Sequence, residues 1–198
     1  WVINDTSRPQ ETGSKGFSTG KQCSGSGTVT FTSPPAQLED VELIQPIGLI
    51  NAYSGHVTPT DHGYYYPHNW QPQDDPSRFI DVFSPASGVI NEISLVGNRL
   101  GDYRLVIHHT CTFYTIYIHV KELSPRILEI TGPITAHKYP NIQVSAGELI
   151  GRANSFDFSV YDDEAMLSGF VIPEHYSGEP WKIHTVDMFA YFSEPLRS

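Results

Sequence analysis

The stretch Gly101–Val120, GDYRLVIHHTCTFYTIYIHV, decides the fold. Two apolar-rich segments, Tyr103–His108 and Phe113–Val120, flank a short polar break, and β-branched and aromatic residues dominate both. This composition is typical of paired strands. Strict alternation along the second segment places Tyr117 and His119 on the same face. We therefore predict a central hairpin that buries one face and delivers Tyr117 and His119 to a surface or a cleft.

Length and composition indicate a single, mainly β domain. A chain of 198 residues fits one domain and is long enough to bury a sizeable core. The 16 Gly, 15 Pro and 11 Tyr favour a β-rich fold with many turns, and helical periodicity is weak throughout. The expected fold is a compact antiparallel β core, as a sheet or sandwich, with little helix.

Charge and hydropathy argue against a nucleic-acid-binding protein and against a membrane-spanning one. The formal net charge is −10, and Lys and Arg form no cluster, which argues against a nucleic-acid partner. No apolar run approaches the ~20 residues that a membrane-spanning helix needs, so the chain is not expected to span a membrane. The chain begins at Trp1 rather than Met and shows no signal peptide, so we expect a processed chain or a fragment.

The two cysteines, Cys23 and Cys111, are too few for a disulfide scaffold or a cysteine-based zinc site. In a secreted chain they would pair and tie the N-terminal arm to the central hairpin. In a cytosolic chain such cysteines are more often free and buried. We favour the disulfide.

The rest of the chain is interpreted as one polar arm, residues 1–27, followed by a single β domain, residues 28–198. Further strands are predicted at Gly27–Thr32, Val41–Gln45, Gly48–Ala52, Tyr64–Tyr66, twice within Asp81–Ile93, at Ile127–Ile130, twice within Ile142–Arg152, and at Phe156–Tyr161. Along the last of these, Asp157 alternates with Phe156 and Phe158. Asp157 is therefore expected on the opposite face from the two phenylalanines.

Histidine and carboxylate side chains cluster between residues 56 and 62. Imidazole nitrogen and carboxylate oxygen are common zinc ligands, and catalytic zinc sites keep one position open. His56 and His62 are six residues apart and share a face if the segment is extended, although Pro59 interrupts it. With Asp61 they form a candidate metal site. Alternatively, Asp61 caps a turn and both histidines bond to backbone groups.

A resemblance to a known family covers about residues 56–160. The segment 106–120 resembles the hairpin of the lysostaphin-like (LytM-type) zinc endopeptidases, the duplicated hybrid motif fold, whose pattern is roughly Ile-x-His-Gly-x-Gly-x-x-Thr-x-Tyr-x-His-Leu. The residues in register are Ile107-His108-His109, Thr115, Tyr117, His119 and Val120. Residues 82–90 and 144–151 resemble the family's Val-x-Ala-x-x-x-Gly-x-Val and Val-x-x-Gly-x-x-Ile-Gly blocks. The resemblance implies a compact antiparallel β core with a groove.

The resemblance also implies a site. Active members hold zinc through a His and an Asp four residues apart and the second His of a late His-x-His motif. His119 corresponds to the Tyr-x-His histidine, which assists the attacking water, and is the candidate catalytic residue. His56 corresponds best to the first zinc ligand. The family spacing is altered after it, so Asp61 or His62 corresponds to the second ligand.

The late motif departs from the family pattern. Aligned on Leu-His-Phe-x-Val, Asp157 stands where the third zinc ligand belongs, and Ser155 stands where the assisting histidine belongs. A serine hydroxyl does not titrate near neutral pH, whereas general acid–base catalysis typically contributes ~10²–10⁴-fold. His184 is a candidate substitute for the missing imidazole. Asp157 can bind zinc, so an altered metal site is left open.

Three interpretations of the function follow from the resemblance. The first is a secreted or extracytoplasmic pseudo-enzyme, or a protein with an altered metal site, that serves as a binding or assembly module; this is the favoured interpretation. The second is an active zinc metalloendopeptidase that hydrolyses cell-wall or other peptides through a metal-activated water, and a purely structural zinc is a third option. A peptide or a cell-wall polymer is the expected partner. Residues 1–55 and 162–198 could cover the groove, complete the sheet or contact a neighbouring chain.

Overall fold

A computed structural model describes residues 22–50, 58–166 and 180–197. Its regular elements, in chain order, are β1 (Val41–Gln45), β2 (Gly63–Pro67), β3 (Ile80–Phe83), β4 (Gly88–Leu95), β5 (Tyr103–His108), β6 (Phe113–Val120), β7 (Glu122–Leu123), α1 (Pro125–Thr131), β8 (Ile142–Val144), β9 (Leu149–Ala153), β10 (Phe156–Asp162) and β11 (Thr185–Val186). The predicted class, mainly β with little helix, is confirmed. Within those residues no helix is long and apolar enough to cross a membrane.

The described strands form two antiparallel sheets. The large sheet has eight strands in the order β1-β2-β10-β6-β5-β4-β8, and β11 pairs with β10. The small sheet has the order β3-β9-β7. The central position of β10 matters for the site, because β10 pairs with β2 on one side and with β6 on the other. Residues from three distant parts of the sequence therefore meet across neighbouring strands.

The main core joins the two sheets. Its largest fully buried side chains on the large sheet include Tyr65, Tyr117, Phe156 and Phe158, which pack with Val82 and Ile150 of the small sheet among others. A second, smaller cluster lies on the opposite face of the large sheet and consists of Val106, Tyr114, Ile116 and Tyr161, with Ile118 and Trp181 against it. The large sheet is thus covered on both faces in this region, and its second face also carries polar side chains.

The predicted central hairpin is confirmed with its predicted bounds. β5 and β6 cover Tyr103–His108 and Phe113–Val120, and they pair from Tyr103 opposite Val120 to His108 opposite Tyr114. The strands predicted at Val41–Gln45, Tyr64–Tyr66 and Phe156–Tyr161 are also present. In each case the composition of the segment agrees with its place in a half-buried or buried sheet.

The predicted strand at Ile127–Ile130 is wrong, because this segment lies in helix α1. The Ser124 hydroxyl accepts a hydrogen bond from the backbone N–H of Ile127 at 3.4 Å, and Pro125 occupies the first turn. Gly132 ends the helix with φ +65°. A capping serine, an early proline and a terminal glycine are the signals of a short helix, and here they outweigh the β-branched residues between them.

The predicted strand at Gly27–Thr32 is also wrong. The segment forms only a single parallel bridge, between Phe31 and Phe192. Phe31 is fully buried and lies against Phe113 and Phe192, with ring centroids 5.8 and 5.3 Å away. The packing of the Phe31 side chain therefore fixes this segment, and strand hydrogen bonding does not. Of the strand predicted at Gly48–Ala52, residues 48–50 are not in a strand, and the rest lies outside the described residues.

The alternation predicted along β6 fails at its end. Tyr117 is fully buried in the main core, and its hydroxyl donates to the Phe83 carbonyl at 2.8 Å, so the expectation that Tyr117 faces a cleft is wrong. His119 has φ +69°, and the pairing with β5 shifts register between Tyr103 and Leu105. A β-bulge of this kind changes the direction in which a side chain points. It turns the imidazole of His119 away from the Tyr117 side.

The predicted disulfide between Cys23 and Cys111 is confirmed. It fastens the described end of the N-terminal arm to the turn between β5 and β6. Two hydrogen bonds add to it: the N–H of Cys111 donates to the Gly25 carbonyl at 2.9 Å, and the Thr110 hydroxyl donates to the Gly27 carbonyl at 2.8 Å. The arm is therefore held at several points along residues 23–27.

Candidate functional site

Three of the predicted site residues meet on the second face of the large sheet. His62 directly precedes β2, Asp157 lies in β10, and His119 lies near the end of β6. The Oδ2 atom of Asp157 is 3.6 Å from His62 Nε2 and 3.9 Å from His119 Nε2. The order of the strands explains the meeting, because Asp157 pairs with Tyr64 of β2 and with Ile118 of β6.

Asp61 lies behind His62 rather than beside Asp157. Its Oδ1 atom is 3.0 Å from His62 Nδ1, and its Oδ2 atom accepts a hydrogen bond from the Tyr161 hydroxyl at 2.6 Å. The Lys182 ammonium is 3.5 Å from the same carboxylate. A carboxylate bound to one imidazole nitrogen fixes the orientation of the ring. Asp61 therefore acts as a positioning residue for His62.

The buried Asp61–His62 pair favours its ionised form. Burial by itself would raise the pKa of Asp61, but the hydrogen bond and charge of His62, together with Lys182 and Tyr161, outweigh it and lower the pKa to about 2. Burial would likewise lower the pKa of His62, but the hydrogen bond to Asp61 and the charges of Asp157 and Asp61 raise it above its usual value. Carboxylate and imidazolium thus stabilise each other.

The other nitrogen of His62 is also engaged. Its Nε2 atom is 3.0 Å from the Tyr64 hydroxyl, and the two rings meet edge to face at 4.9 Å. Within the described ranges no group of three or more His, Cys, Asp or Glu side chains is arranged to hold a metal ion. His56 lies outside the described residues.

His119 is held by a carboxylate of its own. Its Nδ1 atom is 2.9 Å from Asp102 Oδ1, and Lys121 and Arg99 approach the same carboxylate at 3.3 and 3.4 Å. Burial would raise the pKa of Asp102, but His119 and Lys121 outweigh it and lower the pKa. Asp102 was not among the site residues predicted from the sequence. Its position just before β5 could have indicated it, because Tyr103 pairs with Val120 and so brings Asp102 near His119.

Two other candidates lie elsewhere. His184 Nδ1 contacts the Ala165 carbonyl at 2.6 Å, and it is Lys182, not His184, that reaches the site from this segment. His109 contacts the Ser87 carbonyl at 2.9 Å and the Thr115 hydroxyl at 3.1 Å through its two ring nitrogens. His109 therefore has a structural role.

His109 makes the stability of the fold sensitive to acid. Burial lowers the pKa of His109 to about 4, and the hydrogen bond with Ser87 offsets only part of this. The unfolded chain, with an ordinary pKa of about 6.5, takes up the proton first, so stability is lost as the pH falls from about 6.5 towards 4. We expect a loss of stability of about 2 kcal/mol by pH 4.5. This loss is smaller than the full shift in pKa implies, because the ring is only partly buried and solvent screens part of its charge.

Urea unfolding of the wild type and of His109→Gln at about pH 7 and pH 4.5 measures this effect. The variant should lose much less stability than the wild type between the two pH values. His137→Gln, at a partly exposed histidine, is the matched control and should behave as the wild type. An equal acid loss in wild type and His109→Gln would contradict the assignment.

The sheet order and the central hairpin define a lysostaphin-like, LytM-type peptidase fold. The chain is similar to a chain of the SpoIIQ–SpoIIIAH pore-forming complex, with a TM-score of 0.54 and 12% identity over 85% of this chain and 95% of that one. SpoIIQ has a degenerate LytM-like peptidase fold, so the resemblance is confirmed at the level of the fold.

Two further solved structures are similar to the chain. One is a chain of another SpoIIIAH–SpoIIQ complex, with a TM-score of 0.47 and 14% identity over 66% of this chain and 92% of that one. The other is a zinc-containing peptidase from Vibrio cholerae, with a TM-score of 0.45 and 15% identity over 80% of this chain and 39% of that one. No protein-family model and no curated protein sequence matches the chain.

Proposed function

We propose that the chain is an extracytoplasmic binding or assembly module that uses the lysostaphin-like fold without peptidase activity. The observation that carries the proposal is that both ring nitrogens of His62 contact side chains of the same chain. Asp61 binds its Nδ1 atom and the Tyr64 hydroxyl contacts its Nε2 atom, each at 3.0 Å. An imidazole whose two nitrogens are bound by the chain's own side chains has a structural role.

The remaining polar residues support the same proposal. Ser155 stands where the family has its assisting imidazole, and a serine hydroxyl does not titrate near neutral pH and so cannot replace the imidazole as a general acid or base. Asp157, in the place of the third ligand, lies between His62 and His119 and can balance the charge of His62. The site therefore resembles a buried charge network more closely than a hydrolytic centre.

Location and partner are argued from separate features. The disulfide between Cys23 and Cys111 favours an oxidising compartment outside the cytoplasm. The structurally similar SpoIIQ is found in a pore-forming complex with SpoIIIAH, which supports an assembly role for this fold. We propose a peptide, a cell-wall polymer or a neighbouring chain as the partner. Residues 180–197 contribute to the sheet through β11, while Lys182 of the same segment reaches the site.

Elemental analysis and a cleavage assay test the proposal. Protein purified without added metal is expected to contain far less than one zinc per chain. With zinc added, it should not cleave a glycine-rich or cell-wall peptide, and His119→Ala should not change this result. About one zinc per chain, with cleavage that His119→Ala abolishes and His137→Ala preserves, would refute the proposal.

The second candidate is an active zinc metalloendopeptidase. The observation in its favour is that His62, Asp157 and His119 meet within 3.6 and 3.9 Å, the residue types that a zinc site uses. The same two assays decide between the candidates. Stoichiometric zinc without cleavage would instead favour the structural zinc and would leave the binding role in place.

A further inference from the structure

An aromatic track, defined here as Tyr64, Tyr66 and Trp70, leads away from the candidate site. Tyr65 of the same strand enters the main core, so Tyr64 and Tyr66 lie on the other face of β2. Their rings stack at 6.2 Å with an interplanar angle of 21°, and the Trp70 ring meets Tyr66 edge to face at 5.3 Å. Trp70 is 37% exposed and ends the track at the surface.

The loop that carries Trp70 is held in place by hydrogen bonds to Pro67, to Asp40 and to Asn154. The Trp70 N–H donates to the Pro67 carbonyl at 3.2 Å, and the His68 N–H donates to the Asp40 carbonyl at 3.1 Å. The buried Asn154 side chain donates to the Gln71 carbonyl at 2.8 Å. A loop ordered before binding loses little conformational entropy when a ligand arrives.

A cavity of about 600 Å³ adjoins this loop. Its size lies within the range of small-molecule sites, ~300–1,000 Å³. Five of its lining residues have polar or charged side chains: Asp40, His68, Asn69, Gln71 and Arg78. Asn69 and Gln71, the chain neighbours of Trp70, are among these lining residues, so the loop that carries the indole also supplies hydrogen-bonding groups to the cavity. A ligand that suits both features presents an apolar face to the rings and many hydroxyl groups to the cavity.

We propose that the aromatic track and this cavity bind a neutral carbohydrate polymer. The C–H face of a pyranose ring packs on an aromatic ring, and sugar hydroxyls bond to carboxylate, amide and guanidinium groups such as those of Asp40, Asn69 and Arg78. The net charge of −10 disfavours an acidic polymer. A peptide would instead be expected at a strand edge or an apolar groove, which this polar cavity is not.

This inference rests on the proposed binding role and names its ligand class. The probes are cellohexaose and chitohexaose as neutral polymers, an oligogalacturonate as an acidic one, and a glycine-rich peptide. Isothermal titration of each into the purified chain should show micromolar binding of at least one neutral hexasaccharide. Binding should weaken about tenfold in Trp70→Ala and in Tyr66→Leu, because each removes one stacking ring.

Tyr139→Ala is the matched control. Tyr139 is 46% exposed and follows Lys138, which bridges to Ile93 of β4, four strands away from β2 in the large sheet. This variant should bind as the wild type does, and circular dichroism of each variant checks that the fold is retained. If Trp70→Ala does not fold, Trp70→Phe keeps a ring and should retain most of the affinity.

Three results would overturn the inference. They are no binding of either neutral hexasaccharide up to millimolar concentration, binding that Trp70→Ala and Tyr66→Leu leave unchanged, and preference for the peptide or the acidic oligomer. None of these results depends on the zinc content or on peptide cleavage. Failure of the carbohydrate inference is therefore distinguishable from failure of the proposed function.

Discussion

Replacement of both Cys23 and Cys111 by serine is expected to lower the free energy of unfolding by about 4 kcal/mol. The two residues are separated by 88 positions, so the disulfide removes much of the freedom of the unfolded chain. The loop-closure relation gives roughly 4.7 kcal/mol for a loop of about 100 residues. The bond also keeps the arm against the β5–β6 turn, where Cys111 bonds to Gly25. Urea unfolding under oxidising conditions measures the effect.

Two controls accompany the cysteine variant. The wild type treated with a reductant should unfold at the same urea concentration as the double serine variant, and the reductant should not affect that variant further. A change of less than about 1 kcal/mol would show that the cross-link does not constrain the unfolded chain as its sequence separation implies.

Asp61→Ala is expected to cost about 3–5 kcal/mol of stability. The carboxylate is 3% exposed and accepts from the Tyr161 hydroxyl while it balances His62 and Lys182. Removal of one partner of a buried ion pair leaves the other charge without compensation. Asp61→Asn keeps the shape and one acceptor and should lose less. Urea unfolding at about pH 7 measures both variants.

The pH dependence gives this prediction a second readout. The pKa of Asp61 is lowered from 3.8 to about 2 in the folded chain, so its contribution is complete above about pH 4 and is lost as the pH falls towards 2. The difference between wild type and Asp61→Asn should shrink over that interval. Asp81→Ala, which removes a half-exposed ion pair with Arg152, is the control and should cost below about 1 kcal/mol. A loss of that size in Asp61→Ala as well would refute the buried pair.

The sequence predicted those parts of the fold that depend on local pattern. The central hairpin has β-branched and aromatic residues along both arms and a polar break between them, and the structure has it at the predicted residues. Helix α1 was missed because three of its residues, Ile127, Leu128 and Ile130, are apolar as in a strand, although Ser124 and Gly132 carried the capping signal. Phe31 was mistaken for part of a strand because Val29 and Phe31 alternate with threonines, whereas the segment forms only a single bridge, from Phe31 to Phe192.

The candidate site depends on contacts that no local pattern contains. Asp102 meets His119 only because β5 and β6 pair, and Lys182 reaches Asp61 across 121 positions of sequence. The resemblance pointed to His62, His119 and Asp157, and the structure brings these three together. It could not show that Tyr64 contacts the second nitrogen of His62, since that contact depends on where β2 begins.

The left-handed backbone at residue 119 has a consequence for protein engineering. The main chain, not the choice of rotamer, sets the direction of this side chain, because φ is +69° at the bulge. Asparagine, aspartate and glycine accept that conformation readily, whereas valine or isoleucine would oppose it. A library that varies position 119 among such compliant residues could exchange the functional group while the sheet around it stays intact.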